Sequence, residues 1–154
     1  MEKSKVYFTK DITPENLIKV YKALGVELGG NVGVKVSTGE AGSRGYLKAD
    51  LIGPLVRQLN GTIIECNTAY DGVRNTVEEH LEVAKEHGFT KIANIDIMDA
   101  DGEMKIPVKN GKHLKYNLVG KHFDRYDSII NLAHGKGHAM GGFGANLKNQ
   151  SIGI

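Results

Sequence analysis

The sequence predicts an α/β fold of three layers, in which helices cover a mostly parallel sheet. Helix and strand patterns alternate between residues 13 and 97, as they do where crossovers connect parallel strands. Two segments of alternating apolar residues then flank Asn110-Gly111, which predicts an inserted antiparallel β-hairpin with a type I′ turn. An apolar segment at residues 128–132 predicts one last core strand after the hairpin.

The helices of this fold are predicted from their end signals. Thr13 is placed to cap the first helix and Asn75-Thr76 to cap the third, because a side-chain oxygen before the first turn accepts a backbone N–H. Apolar residues recur at helical spacing over residues 47–59, and Pro54 should start that helix near Gly53 or kink it. The remaining core strands are predicted at residues 32–36, 62–66 and 92–97.

Composition limits the class of protein. A chain of 154 residues, 40% hydrophobic and 25% charged, predicts one soluble domain over residues 1–154. A net charge of +2 without a dense basic run argues against nucleic acid as a partner. No apolar segment predicts a signal peptide or a membrane contact, so we expect a cytoplasmic protein. The single Cys66 excludes an all-cysteine iron–sulfur site within the chain, which needs about four thiolates.

Polar residues follow each predicted parallel strand. Ligands of open α/β sheets bind beyond the carboxyl ends of the strands, so these residues predict one shared site, although such loops are polar in any protein. Glu40 and Asn67 are its expected ligand-binding residues in the first two loops. Cys66 is expected to be an inert core cysteine, and His80 and His87 are expected on the surface of the third helix.

The last predicted loop combines histidines and lysines with glycines. Lys136 and Lys148 beside glycine backbone suit an anionic ligand, unless they are simply solvated. His134 and His138 could hold a divalent metal ion together with a carboxylate such as Glu65 or Asp96. The glycines between these histidines argue against a helix that would place both on one face, so ordinary loop histidines remain the alternative. No helix or strand is predicted after the glycines.

Three segments together resemble the family of domain of unknown function 362. They are residues 32–37, which read Val-Gly-Val-Lys-Val-Ser, residues 55–67, which end in Glu-Cys-Asn, and residues 129–149, with a Lys-Gly-His followed by Asn-Leu-Lys-Asn. Members of this family carry a valine-rich strand with an internal lysine, and a late Lys-x-His followed by a Lys-Asn pair. The resemblance implies a site set, which is Lys35, Lys136, His138, Lys148 and Asn149.

The resemblance also implies an association with iron–sulfur proteins. Members are often fused to, or followed by, a ferredoxin-like 4Fe-4S module, and their own activity is not established. Members usually extend well past the Lys-Asn pair, so we expect this chain to be truncated at its C-terminus relative to the family. A 4Fe-4S cluster is then expected only where a missing part or a partner protein supplies the cysteines.

Two functions are compatible with these residues. The first is an iron–sulfur-associated α/β domain that binds a metal or a small anionic ligand, with His138 as its candidate catalytic residue. The second is a non-catalytic module that docks an electron-transfer or ferredoxin-like protein. A weaker third hypothesis is a hydrolase or transferase with His138 as base, for which the sequence shows no nucleophile. A closed pocket of about 300 Å³ or more would favour ligand binding, and a flat surface would favour docking.

Overall fold

Four parallel strands form the central sheet of the computed structural model, which describes residues 3–154. The strands of this sheet and of two smaller sheets are, in chain order, β1 Val32–Lys35, β2 Thr62–Glu65, β3 Ile95–Ile97, β4 Glu103–Pro107, β5 Tyr116–Gly120, β6 Ser128–Asn131, β7 Lys136–His138 and β8 Gly142–Gly144. The helices are α1 Pro14–Ala23, α2 Ala49–Gln58, α3 Val77–Glu86 and α4 Asn146–Ser151. The main sheet has the order β3-β2-β1-β6, and β4–β5 and β7–β8 form two separate antiparallel hairpins. The predicted three-layer α/β class with an inserted hairpin is confirmed.

The strand order reverses at β1. β2 and β3 extend the sheet on one side of β1, whereas β6 pairs with its other side. Lys35, the last residue of β1, therefore lies between Ile64 of β2 and Asn131 of β6 in register. A reversal of this kind leaves a crevice at the carboxyl ends of the strands, because the loops after β1 and β6 diverge.

The core lies between the sheet and the helices. The four residues of β1 are all buried, which explains why this strand has no polar alternation in sequence. Val34 and Ile63 pack with Ile52 and Val56 of α2 and with Phe89, which follows α3. The predicted caps are also present, because the hydroxyls of Thr13 and Thr76 accept the backbone N–H of Asn16 and Glu79. Within residues 3–154, no helix combines the length and the apolar character needed to cross a lipid bilayer.

Local details differ from the predictions. α2 begins at Ala49 rather than near Gly53, and it continues through Pro54, which costs the helix one backbone hydrogen bond. The alternative, a kink at Pro54, stays a prediction. The hairpin turn is longer than two residues, since β4 and β5 stop pairing at Pro107 and Tyr116. A type I′ turn needs positive φ at both central residues, and Asn110 has a φ of 58° whereas Gly111 is not in that region.

The glycine-rich segment after β6 is more regular than predicted. It folds into the hairpin β7–β8 and the short helix α4, although no helix or strand was predicted there. The hairpin is made of three-residue strands, which are too short to give a periodic sequence signal. The side chain of Asn149 in α4 then bonds Asn131 of β6 at 2.7 Å, so this segment is connected to the main sheet.

Candidate functional site

A cavity of about 400 Å³ opens at the carboxyl ends of β2, β1 and β6. It lies at the reversal of strand order, which is the usual ligand position in open α/β sheets. Each of the eight predicted site residues lines it, namely Lys35, Glu40, Asn67, His134, Lys136, His138, Lys148 and Asn149. The structure therefore brings the whole set together, while the roles of these residues in binding stay predictions.

Lys35 occupies the floor of the cavity with its ammonium group fully hydrogen-bonded. The residue is only 1% exposed. Its Nζ donates to Oε2 of Glu65 at 2.7 Å, to Oδ1 of Asn149 at 2.9 Å and to the carbonyl of Val36 at 2.6 Å. These three bonds use all three ammonium protons, so Lys35 has no proton left for a ligand in this arrangement.

Glu65 is the buried anion that compensates Lys35. Its Oε1 accepts the backbone N–H of Thr38 at 2.7 Å. Burial by itself would raise the pKa of this carboxyl, but the positive charge of Lys35 and the nearby ring of His80, whose Nε2 lies 3.8 Å from Oε1, lower it to about 2. Glu65 is therefore ionised at neutral pH, and its pair with Lys35 adds no net charge to the cavity.

His80 is an interior residue and His87 is half-buried, so the prediction that both lie on the surface is wrong. His80 is fully buried, with Nε2 at 3.0 Å from the Thr38 hydroxyl and Nδ1 at 3.4 Å from Oδ1 of Asn67. Nδ1 of His87 donates to the Thr38 carbonyl at 2.7 Å. The buried residues of α3 are His80, Val83 and Ala84, and the last two follow His80 at the spacing of three and four that one helix face requires.

Arg74 is a cavity residue that the sequence analysis missed. It is 6% exposed and its guanidinium pairs with the carboxylate of Glu40, while Nη1 lies 3.7 Å from Oε1 of Glu65. The hydrogen bond from Arg74 holds the pKa of Glu40 below its usual value. Nε of Arg74 is buried without a hydrogen-bond partner among residues 3–154. Its only sequence signal was a place in the loop after β2, among 20 lysines and arginines.

The hairpin β7–β8 and helix α4 form the opposite wall. Lys136 and His138 are two residues apart on β7, so their side chains share one face of the hairpin. Gly144 lies opposite Lys136 in the ladder, and a Cβ there would be 3.7 Å from Cδ of Lys148. Lys136 donates to the carbonyl of Gly45 at 2.7 Å. Neither lysine is ion-paired with any residue that the structure describes.

The ring of His138 is oriented by backbone donors. Its Nδ1 accepts the N–H of Gly141 at 3.1 Å and that of Met140 at 3.3 Å. Because Nδ1 is the acceptor, the proton of the neutral ring is assigned to Nε2. In this tautomer neither nitrogen has a free lone pair for a metal ion or for a substrate proton. His138 is thus a hydrogen-bond donor to the cavity, rather than the base of the third hypothesis.

The residues present do not fit a metal ion or a cluster. Among residues 3–154, no group of three or more His, Cys, Asp and Glu side chains is arranged to hold a metal. The two carboxylates considered as partners of His134 are engaged elsewhere, Glu65 with Lys35 and Asp96 with Nδ1 of His122 at 2.7 Å. A 4Fe-4S cluster would need about four thiolates, and the chain has one cysteine.

Cys66 lines the cavity instead of lying in the core. It is half-buried, so its predicted core position is wrong. Burial, with the negative charge of Asp99, raises the pKa of its thiol to about 12. The group is therefore protonated at neutral pH and a poor nucleophile, as expected.

Comparison with known proteins finds one family. The model of the family described as "Domain of unknown function (DUF362)" matches residues 32–154. The match extends from β1 to the end of α4 and so includes every residue of the cavity. A search of the curated proteins and a search of the solved structures find no match to the chain.

Proposed function

This chain belongs to the family described as domain of unknown function 362, and we propose that it binds a small anionic ligand in the cavity. One observation carries the proposal. The ammonium groups of Lys136 and Lys148 line the cavity without an ion-pair partner among the described residues, beside the Nε2–H that the tautomer of His138 presents.

The remaining charges of the cavity cancel one another. Lys35 pairs with Glu65 and Arg74 pairs with Glu40, so the attraction for an anion comes from the two unpaired lysines. Lys148 is half-buried, and a charge pair in such a place is several times stronger than in bulk water. The concave shape supports ligand binding over docking, because the cavity exceeds the size of about 300 Å³ that a small-molecule site needs.

His138 gives the site a hydrogen-bond donor. Its Nδ1 is held by two backbone N–H groups, which leaves the Nε2 proton for the ligand. In this neutral tautomer His138 stabilises a bound anion by a hydrogen bond and does not transfer its Nε2 proton. The proposal itself is for binding, and it uses neither a metal ion nor a cluster.

Isothermal titration with inorganic phosphate at constant ionic strength tests the proposal. The wild-type chain should bind, and the double variant Lys136→Gln/Lys148→Gln should lose at least roughly tenfold in affinity for each charge removed. The control is Lys109→Gln/Lys112→Gln, which removes the same charge from exposed lysines outside the cavity. Equal affinity of both double variants, or no binding by the wild type, would contradict the proposal.

Docking of a protein remains the second candidate, because apolar side chains are exposed beside the cavity. Met140, Phe143, Leu147 and Ile152 are each more than half exposed, and the unpaired lysines lie in the same segment. Such a surface suits an acidic partner, and the resemblance to the family points to a ferredoxin-like 4Fe-4S protein. Sedimentation with a purified acidic ferredoxin should show a salt-sensitive complex that Phe143→Ser/Leu147→Ser abolishes. If the chain binds phosphate but forms no such complex, docking is contradicted and ligand binding is the function that remains.

A further inference from the structure

We infer that the ligand is a phosphate monoester of a small, uncharged polar molecule, bound with its dianionic phosphate between Lys136, His138 and Lys148. This inference rests on the proposed anion binding and names the chemical class of the ligand. It follows from the charge, the donors and the space that the two walls of the cavity offer.

The charge of the site matches a dianion. Two ammonium groups are unpaired, whereas His138 contributes a neutral donor in the tautomer that its backbone bonds impose. A carboxylate or a sulfate ester would leave one ammonium uncompensated. A phosphate monoester carries a charge of about −1.5 to −2 at pH 7 and compensates both.

The donors match the three terminal oxygens of a phosphate. Nζ of Lys136, Nζ of Lys148 and Nε2 of His138 are three separate donors along one wall, and a phosphate monoester offers three strong acceptor oxygens. Lys136 uses one proton on the Gly45 carbonyl and keeps two for a ligand. The three donor groups therefore match the three terminal oxygens of a phosphate. A carboxylate has only two oxygens and would leave part of the donors unused.

Gly144 keeps the space between these donors open. A Cβ at Gly144 would lie 3.7 Å from Cβ of His138 and 3.7 Å from Cδ of Lys148. A larger side chain would enter the volume between the two residues. Gly137 gives the matched control, since it lies on the opposite face of β7 and a Cβ there would meet nothing within 4 Å.

The wall that follows β2, across the cavity from Lys136 and Lys148, suits an uncharged, hydroxyl-bearing part of the ligand. Its charges are already paired, and its other polar side chains, Asn67, Thr68 and Tyr70, are neutral. The Tyr70 hydroxyl donates to Glu40 at 2.7 Å and the Thr68 hydroxyl donates to the Tyr70 carbonyl at 3.3 Å, so both keep oxygen lone pairs for hydroxyl donors of a ligand. The walls follow β2 and β6, which are separated by β1 and so lie roughly 10 Å apart at about 4.8 Å per strand. A phosphorylated sugar or a ligand of similar length spans that distance.

Matched esters test the inference by isothermal titration. Glucose 6-phosphate and glucose 6-sulfate share one body and differ in charge at pH 7.5, and glucose is the uncharged control. We expect the phosphate to bind at least roughly tenfold more tightly than the sulfate, because it adds one charge close to the lysines. At pH 5 the phosphate is largely monoanionic, so this ratio should shrink, while changes in the protein affect both probes alike.

The outcomes separate this inference from the proposed function. Equal affinity for the two esters would overturn the dianion, although the proposed function would stand. A phosphate ester that binds no better than inorganic phosphate would overturn the uncharged body. No binding of either ester or of inorganic phosphate would overturn both proposals. Gly144→Val should abolish binding of glucose 6-phosphate and Gly137→Val should not, and the melting temperature of each variant checks that it is folded.

Discussion

The two walls of the cavity use the same residue types in opposite ways. The paired wall, taken together with the floor residue Lys35, comprises Lys35, Glu40, Glu65 and Arg74 and has every charge matched within the fold. The lysine wall, formed by Lys136, His138 and Lys148, has two positive charges and no carboxylate that pairs with them among residues 3–154. Both walls line one cavity, so the difference lies in what compensates the charge.

This difference separates structural charges from binding charges. A buried ammonium must be paired to be tolerated, and Lys35 meets that need within the protein. An accessible ammonium can remain unpaired in water and meet its anion later. The paired wall should therefore govern the stability of the fold, whereas the lysine wall should govern affinity.

The largest effect should follow from breaking the paired wall. Glu65→Leu leaves the ammonium of Lys35 buried without its anion, which should lower the free energy of unfolding by about 3–5 kcal/mol. Urea denaturation measures the loss, and Lys35→Met/Glu65→Leu should recover most of it. Glu82→Leu is the control, because its pair with Lys85 is exposed and should matter by less than about 0.5 kcal/mol. A similar loss of unfolding free energy in Glu65→Leu and Glu82→Leu would contradict the view that the paired wall governs stability.

The second-largest effect should come from acid, which weakens the paired wall. The pKa of Glu65 is about 2 in the folded chain and 4.5 is its ordinary value, so its contribution is present above pH 4.5 and is lost as pH falls towards 2. The contribution should be about 3 kcal/mol at neutral pH. Urea titrations at pH 5, 4 and 3 should show a shallower pH dependence in Glu65→Gln than in the wild type. Parallel curves would mean that Glu65 is not the group that titrates.

A smaller loss should follow from Asn149→Ala, which removes the link between the two walls. Asn149 accepts a hydrogen bond from Lys35 and donates one to Asn131, so Asn149→Ala should lower the free energy of unfolding by about 1–3 kcal/mol. Thermal unfolding measures it. Gln150→Ala, at an exposed neighbour in the same helix, is the control and should have little effect. Equal shifts would show that the position in α4, rather than the bonds, matters.

The smallest effect on stability should come from the lysine wall. Lys136→Gln/Lys148→Gln should change the free energy of unfolding by no more than about 0.5 kcal/mol, because neither charge is paired in the fold. The same urea experiment measures this change. A loss comparable with that of Glu65→Leu would mean that both walls are structural, and would weaken the argument for anion binding.

The sequence predicted the strands and the edge of the sheet that carries the cavity, because apolar segments and strand ends are local signals. It did not predict the pairing of Arg74 with Glu40 or the burial of His80, since each depends on partners distant in the chain. The regular structure after β6 was missed for another reason. Its elements are three to six residues long and are held by contacts such as Asn149 with Asn131, which no periodicity records.

The bond between Lys35 and Asn149 has a consequence for the order of folding. It joins residues 114 positions apart, whereas the sheet pairs β1 with β2 over a much shorter stretch. Contacts of long sequence separation are formed late, because closing a long loop costs entropy before the contact forms. We therefore expect β1, β2 and β3 to pair first, and β6 and the cavity to be added last, so that a ligand meets a complete site only at the end of folding.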